Sequence, residues 1–171
     1  PSSINWPIIF GEKETGLSIF WPDDGLDTGP ILLQKKTEIS PDDTLGSVYF
    51  DRLFPMGVDA MVEAIDLVRA GNAPRIVQDA SQATYESWCK AEDAAIDWSK
   101  PGREIYNLVR GSNPQPGANT TLNGETVSFF DAAYTDEASG SEPGAVVSVD
   151  SNGIGIAVSG GAVVVRGVRA G

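Results

Sequence analysis

The sequence predicts an α/β chain that ends in a small antiparallel β-barrel, and three observations carry that reading. Two apolar runs, residues 17–21 and 31–33, flank a tight acidic turn, which is the pattern of a β-hairpin. Apolar residues then recur at near-helical spacing from Leu45 to Val68. From Thr126 onward, β-branched or alternating segments are separated by Asn152-Gly153 and Gly160-Gly161, pairs that favour hairpin turns.

Taken in order, Ser3 is expected to cap a short helix that runs to Phe10, with Pro7 tolerated near the first turn and Gly11 ending it. Leu17, Ile19 and Trp21 alternate with Ser18 and Phe20 as a strand, and residues 31–39 form its partner across the loop 23–30. Gly25 and Gly29 are expected to supply backbone angles that other residues resist, carrying Asp27 to the rim of a sheet. Ser40-Pro41-Asp42-Asp43 is a helix-start signal, because side-chain oxygens there accept orphan backbone N–H bonds. The helix that follows is expected to kink or divide at Pro55 and to close at Gly71. Residues 72–98 lose periodicity and are expected to run over the surface as a connection. Ser99-Lys100-Pro101 starts another helix with Ile105, Leu108 and Val109 on one side, ending near Gly111. Strands are predicted at 126–133, 145–149, 154–158 and 163–168, with a mobile loop over 135–144.

Composition excludes several classes of function. The 171 residues carry 24 Asp plus Glu against 12 Lys plus Arg, a net charge of −12, and such a surface repels phosphate backbones unless its cations gather on one face. No apolar run approaches the roughly 20 residues of a membrane helix, so no membrane partner is expected. The single Cys89 forms no internal disulfide, and a reducing cytoplasm is the expected compartment. No spacing of Cys, His or carboxylates matches a metal site, and no metal is expected.

The stretch Asp23-Asp24-Gly25-Leu26-Asp27-Thr28-Gly29 resembles the D-x-G-L-D-T-G signature of enzymes that move a formyl group from 10-formyltetrahydrofolate. Ile96-Asp97-Trp98, the run from Ile105 to Gly111 and Asn113-Pro114-Gln115-Pro116-Gly117-Ala118 resemble, in order, segments of that family's C-terminal, OB-like domain. The resemblance implies the C-terminal part of a Rossmann-like formyltransferase domain over residues 1–79, a linker over 80–98 and an incomplete OB-like barrel over 99–171. It also implies 10-formyltetrahydrofolate as donor, Asp27 as a catalytic residue, and Asp23, Asp24, Gly25 and Leu26 as the loop that lines the pteridine pocket.

In that family an Asn and a His complete the machinery, just upstream of a segment similar to residues 1–6. This chain has no His. The expectation is a fragment, inactive alone, with an exposed apolar edge around Ile19 and Phe20 and a monomeric full-length form. Chemically, a carboxylate orients and supports a protonated imidazole while an amide donates to the developing oxyanion. Initiator methionyl-tRNA is the expected formyl acceptor, with water next and a sugar-nucleotide amine third. The scarcity of cations and the dehydrogenase-like run from Phe20 to Gly25 both favour water, and a non-catalytic binding piece remains the alternative of a different class.

Other motifs have plainer readings. Asp42-Asp43 is expected to cap a helix rather than to form a paired-carboxylate site. Gly153-Ile154-Gly155 and Gly160-Gly161 lack the strand-to-helix context of a phosphate loop. Trp21, Trp88 and Trp98 are expected to pack rather than to stack on bases. Cys89 is expected to be inert.

Overall fold

The computed structural model describes residues 2–171; Pro1, which opens the family-like segment 1–6, lies outside them. Helix α1 (Asn5–Ile9) begins after Ile4, with no side-chain cap, so Ser3 does not cap it. Asn5 is buried instead and donates from Nδ2 to the Gly111 and Gln115 carbonyls, which ties α1 to a segment more than 100 residues further along the chain. Strands β1 (Glu14–Phe20) and β2 (Ile31–Glu38) pair antiparallel as expected. Their register slips between Ile19 and Phe20, a bulge at the edge of the loop that joins them.

After β2 the helix-start signal works, through a different residue. Short helix α2 (Leu45–Ser47) is capped by Thr44, whose hydroxyl accepts from the Ser47 amide while the Ser47 hydroxyl accepts from the Thr44 amide. A π-helical turn (Val48–Leu53) then leads directly into α3 (Phe54–Arg69). Pro55 sits in the first turn of α3, so its missing N–H falls where the register changes and the helix passes it without a break. Gly71, at φ +69°, closes α3 in a Schellman turn, with Asn72 N–H on the Leu67 carbonyl and Gly71 N–H on that of Val68.

Helix α3 buries only Ala60 and Ala64. Phe54, Val58, Met61, Val62, Ile65 and Val68 are exposed. Ile19 and Phe20 are half-buried, so the exposed apolar surface lies on α3 rather than at the hairpin edge. Neither sheet has parallel strands among the described residues; the hairpin and α3 are what the chain contributes of the expected Rossmann-like layer.

Helix α4 (Gly102–Gly111) matches its prediction closely. It packs Ile105, Tyr106 and Val109 against a five-stranded antiparallel sheet of order β3-β4-β7-β6-β5: β3 (Ala118–Leu122), β4 (Glu125–Thr135), β5 (Val146–Asp150), β6 (Gly153–Val158) and β7 (Gly161–Ala170). β3 has no counterpart in the sequence reading. Asn119, Thr120 and Thr121 carry little apolar signal, and what holds β3 is register with β4 over Ala118 to Leu122.

A cluster of charged and polar groups joins α4 to the loop before α2. Arg110 is only 6% exposed and donates from Nη1 to the carbonyls of Ser40 (3.3 Å) and Asp43 (3.0 Å) and from Nε to Asn107 Oδ1 (2.8 Å). Burial lowers its pKa against the pull of Tyr106, Asp43 and Asp42. Tyr106 donates to Asp42 Oδ1 at 2.9 Å, and burial together with that carboxylate pushes its phenol up to about 12. Asp43 accepts from the Ser40 amide, the Ser47 hydroxyl and Arg52, whose guanidinium grips both carboxylate oxygens at 2.6 and 3.2 Å. Burial raises the Asp43 pKa, but these partners outweigh it and hold the carboxyl below its ordinary value. The Asp42 carboxylate therefore works across the molecule, the Asp43 carboxylate braces the turn before α2 against Arg52, and the capping expected of them falls to Thr44.

Candidate functional site

The loop between β1 and β2 is built in an unexpected way. Neither Gly25 nor Gly29 has a positive φ; the left-handed residue is Asp27, at φ +56°. Asp tolerates that region better than most side chains, yet it still costs energy. The two glycines matter for room instead. A Cβ on Gly25 would meet the Thr28 hydroxyl, and one on Gly29 would meet the Trp21 carbonyl oxygen. Asp23 is the loop's internal brace: its Oδ1 accepts from the Gly25 amide (3.0 Å) and the Thr28 hydroxyl (2.7 Å).

Asp27 is exposed, and its carboxylate has no hydrogen-bond partner among the described residues. With Leu26 and Thr28 it forms one wall of a cleft of about 750 Å³. Asp23, Asp24 and Gly25 do not line that cleft, and of the four residues expected to bind the donor only Leu26 does. Asp24 is solvent-exposed.

The rest of the lining comes mostly from the connection 72–98, which does run over the surface but is not idle there. Ile76 and Ile31 exchange backbone hydrogen bonds at 2.9 and 2.8 Å, laying the connection beside β2. Trp21 donates from its indole to the Pro74 carbonyl (2.9 Å), and the Arg75 guanidinium lies 4.0 Å over the Trp21 ring. Gln78 donates to the Asp27 carbonyl (2.8 Å) and the Gly29 carbonyl (2.7 Å). Tyr85, 77% exposed, and Trp88, 64% exposed, belong to that lining with Val77.

Trp88 is thus a cleft residue and not a packing one. Trp98 does pack, edge-on to Phe129, with its indole on the Thr120 hydroxyl. Gln78, Tyr85 and Trp88 escaped the sequence reading as site residues. The available signal was aromatic residues in a stretch with no periodicity to bury them.

Chemically the cleft offers one unpartnered carboxylate, the amides of Gln78 and Gln82 and two exposed aromatic side chains. Its lining holds Asp27 and Asp79 and neither Lys nor Arg. Among the described residues no three His, Cys, Asp or Glu side chains cluster so as to hold a metal ion. Among the described residues no helix is long and apolar enough to cross a membrane. Burial, with Asp93 nearby, pushes the Cys89 thiol up, away from the reactive thiolate.

Comparisons with known proteins agree over nearly the whole chain. Residues 2–65 match the model of the formyl transferase family, and residues 89–171 match its C-terminal domain. The chain is 49% identical over 129 residues to the mitochondrial 10-formyltetrahydrofolate dehydrogenase of Homo sapiens, covering 75% of this chain and 14% of that protein. It is 40% identical over 166 residues to the methionyl-tRNA formyltransferase of Syntrophus aciditrophicus (strain SB), covering 97% of this chain and 53% of that protein. The fold resembles HypX from Aquifex aeolicus, solved in complex with tetrahydrofolic acid, at a TM-score of 0.82 and 22% identity over 99% of this chain and 30% of that one. The chain therefore spans about half the length of the bacterial relative and a much smaller share of the dehydrogenase.

Proposed function

The chain belongs to the formyl transferase family, and we propose that it handles the formyl group of 10-formyltetrahydrofolate, with Asp27 as a catalytic carboxylate and a small acceptor, water first, taking the group. The observation that carries this reading is the unpartnered Asp27 carboxylate in a cleft that the exposed Tyr85 and Trp88 also line. Flat aromatic surfaces suit a flat pterin or aminobenzoyl ring, and Leu26 adds an apolar contact. Asp23 and Gly25 shape the loop through Thr28, outside the cleft lining.

In this mechanism Asp27 accepts a hydrogen bond from an imidazole supplied by polypeptide outside this sequence, orients it and stabilises its protonated form as the acceptor loses its proton. An amide from the same region would stabilise the oxyanion. The parts played here would be the end of a catalytic domain (1–79), a linker (80–98) that also walls the cleft, and an OB-like barrel (99–171). We place the protein in the cytoplasm as a monomer.

Initiator methionyl-tRNA is the second reading, favoured by the 40% identity to a methionyl-tRNA formyltransferase over nearly the full chain. The charge argues the other way. A cleft without Lys or Arg, in a chain of net charge −12, gives a polyanion no purchase.

The test uses the full-length enzyme. Asp27→Asn keeps the shape and removes the charge, so turnover should fall by about 10²- to 10⁴-fold while the donor's Kd changes less than about threefold. Near-normal turnover would reduce Asp27 to a turn residue. Formate release that ignores added charged initiator tRNA supports the small acceptor; formylation of that tRNA at the expense of formate overturns it.

A further inference from the structure

We infer that Gln78 is a positioning residue for Asp27: it holds the left-handed loop from the connection between the two halves of the chain, and it aims the carboxylate without touching the reacting atoms. This rests on reading Asp27 as catalytic.

Three observations carry the inference. First, both N–H bonds of the Gln78 amide are used, at 2.8 Å on the Asp27 carbonyl and 2.7 Å on the Gly29 carbonyl. Peptide carbonyls only accept, so it is the amide nitrogen, and not its oxygen, that faces them. The two carbonyls straddle Thr28, so the amide fixes the peptide planes on either side of the turn.

Second, the loop needs an external brace. A non-glycine residue at φ +56° stays there only when its surroundings over-determine the backbone. The internal brace, Asp23, reaches the Gly25 amide and the Thr28 hydroxyl, and leaves the carbonyl side of Asp27 and Gly29 to Gln78.

Third, Gln78 is itself held. Two residues before it, Ile76 exchanges backbone hydrogen bonds with Ile31, and one residue after it the Asp79 carboxylate accepts from the Ser81 amide and hydroxyl. An anchored donor transmits position; a side chain on a loose segment would follow the loop rather than hold it.

With both N–H groups engaged, the amide has none to give a ligand. Its loss is therefore expected in kcat and not in donor binding. Gln78→Met keeps the length and removes both donors, while Gln78→Glu sets a carboxylate against two carbonyls. In the full-length enzyme each should lower kcat about ten- to a hundredfold, since misplacing a catalytic group by about 1 Å costs that order. The donor's KM should stay within about twofold and Tm within about 2 °C.

The decisive readout is the double variant. Because Gln78 acts through Asp27, adding Gln78→Met to Asp27→Asn should cost less than about threefold more in single-turnover rate. Full kcat in both Gln78 variants, or losses that multiply in the double variant, would overturn the inference. If Asp27→Asn itself keeps turnover, the catalytic reading falls; if Asp27→Asn is inactive while the Gln78 variants are normal, only the role of Gln78 does.

Discussion

Two regions of the molecule solve the same problem with different means. In the loop around Asp27 and in the junction around Arg110, a side chain from a distant part of the chain satisfies two backbone carbonyls. At the loop the donor is a neutral, exposed amide holding Asp27 and Gly29. At the junction it is a buried guanidinium holding Ser40 and Asp43, surrounded by Asp42, Tyr106 and Asn107. Charged, buried donors are worth more and cost more to lose than neutral exposed ones. The junction is therefore built for stability. The loop is built for position, with a strained backbone and an open face.

The largest effect should come from breaking the junction. Among the described residues Arg110 is the cation that reaches the Ser40 and Asp43 carbonyls; Arg110→Met leaves the buried Asp43 carbonyl without its donor, while the Ser40 carbonyl keeps only the Asp43 amide. The substitution should destabilise by about 3 kcal/mol, a fall in Tm of about 10 °C for a chain of this size. Thermal unfolding checks it. A Tm within about 2 °C of the parent would mean that water replaces the guanidinium and that the junction is no stronger than the loop.

A smaller effect, with a defined sign, comes from acid. Ser40, Ser47 and Arg52 hold the Asp43 carboxyl below its ordinary value of 3.8, even though burial works to raise it. A folded-state pKa below the unfolded one means that the contribution is complete above about pH 5 and is lost as pH falls through the folded value. Urea unfolding at pH 6, 4.5 and 3 should show stability dropping at the acid end, and Asp43→Asn should flatten that drop. An Asp43→Asn profile as steep as the parent's would show that the junction draws nothing from that carboxylate.

The contrast also explains what was legible in the sequence. Local signals were read well: the hairpin, the α4 boundaries and the Gly71 closure each depend on a few adjacent residues. The loop was placed correctly, but its strain was assigned to Gly25 and Gly29, because glycine is the usual left-handed residue. Here Asp27 takes that conformation and the glycines give clearance. The roles of Asp42, Arg110 and Gln78 depend on partners about 50 to 70 residues away. No spacing rule reaches that far. β3 escaped for a different reason: its partner β4 is close in sequence, but Asn119, Thr120 and Thr121 gain strand geometry from that pairing rather than from an apolar pattern.

The smallest effect discriminates most sharply, because it turns on a sign. At ordinary positions Ala is more stable than Gly by roughly 0.5–1 kcal/mol, since Gly loses more backbone entropy on folding. At Asp27, φ +56° reverses the native-state side of that balance. Ala would bear the left-handed cost of a Cβ at that position, whereas Gly bears none. Asp27→Gly should therefore match the parent within about 0.5 kcal/mol, and Asp27→Ala should fall about 1 kcal/mol below Asp27→Gly. Both should be catalytically dead, so stability and turnover part company at this residue as they do not at Arg110. The reverse order, Ala above Gly, would show that the loop relaxes out of the left-handed conformation once the carboxylate is gone. Asp27, and not Gln78, would then be the element that holds the turn.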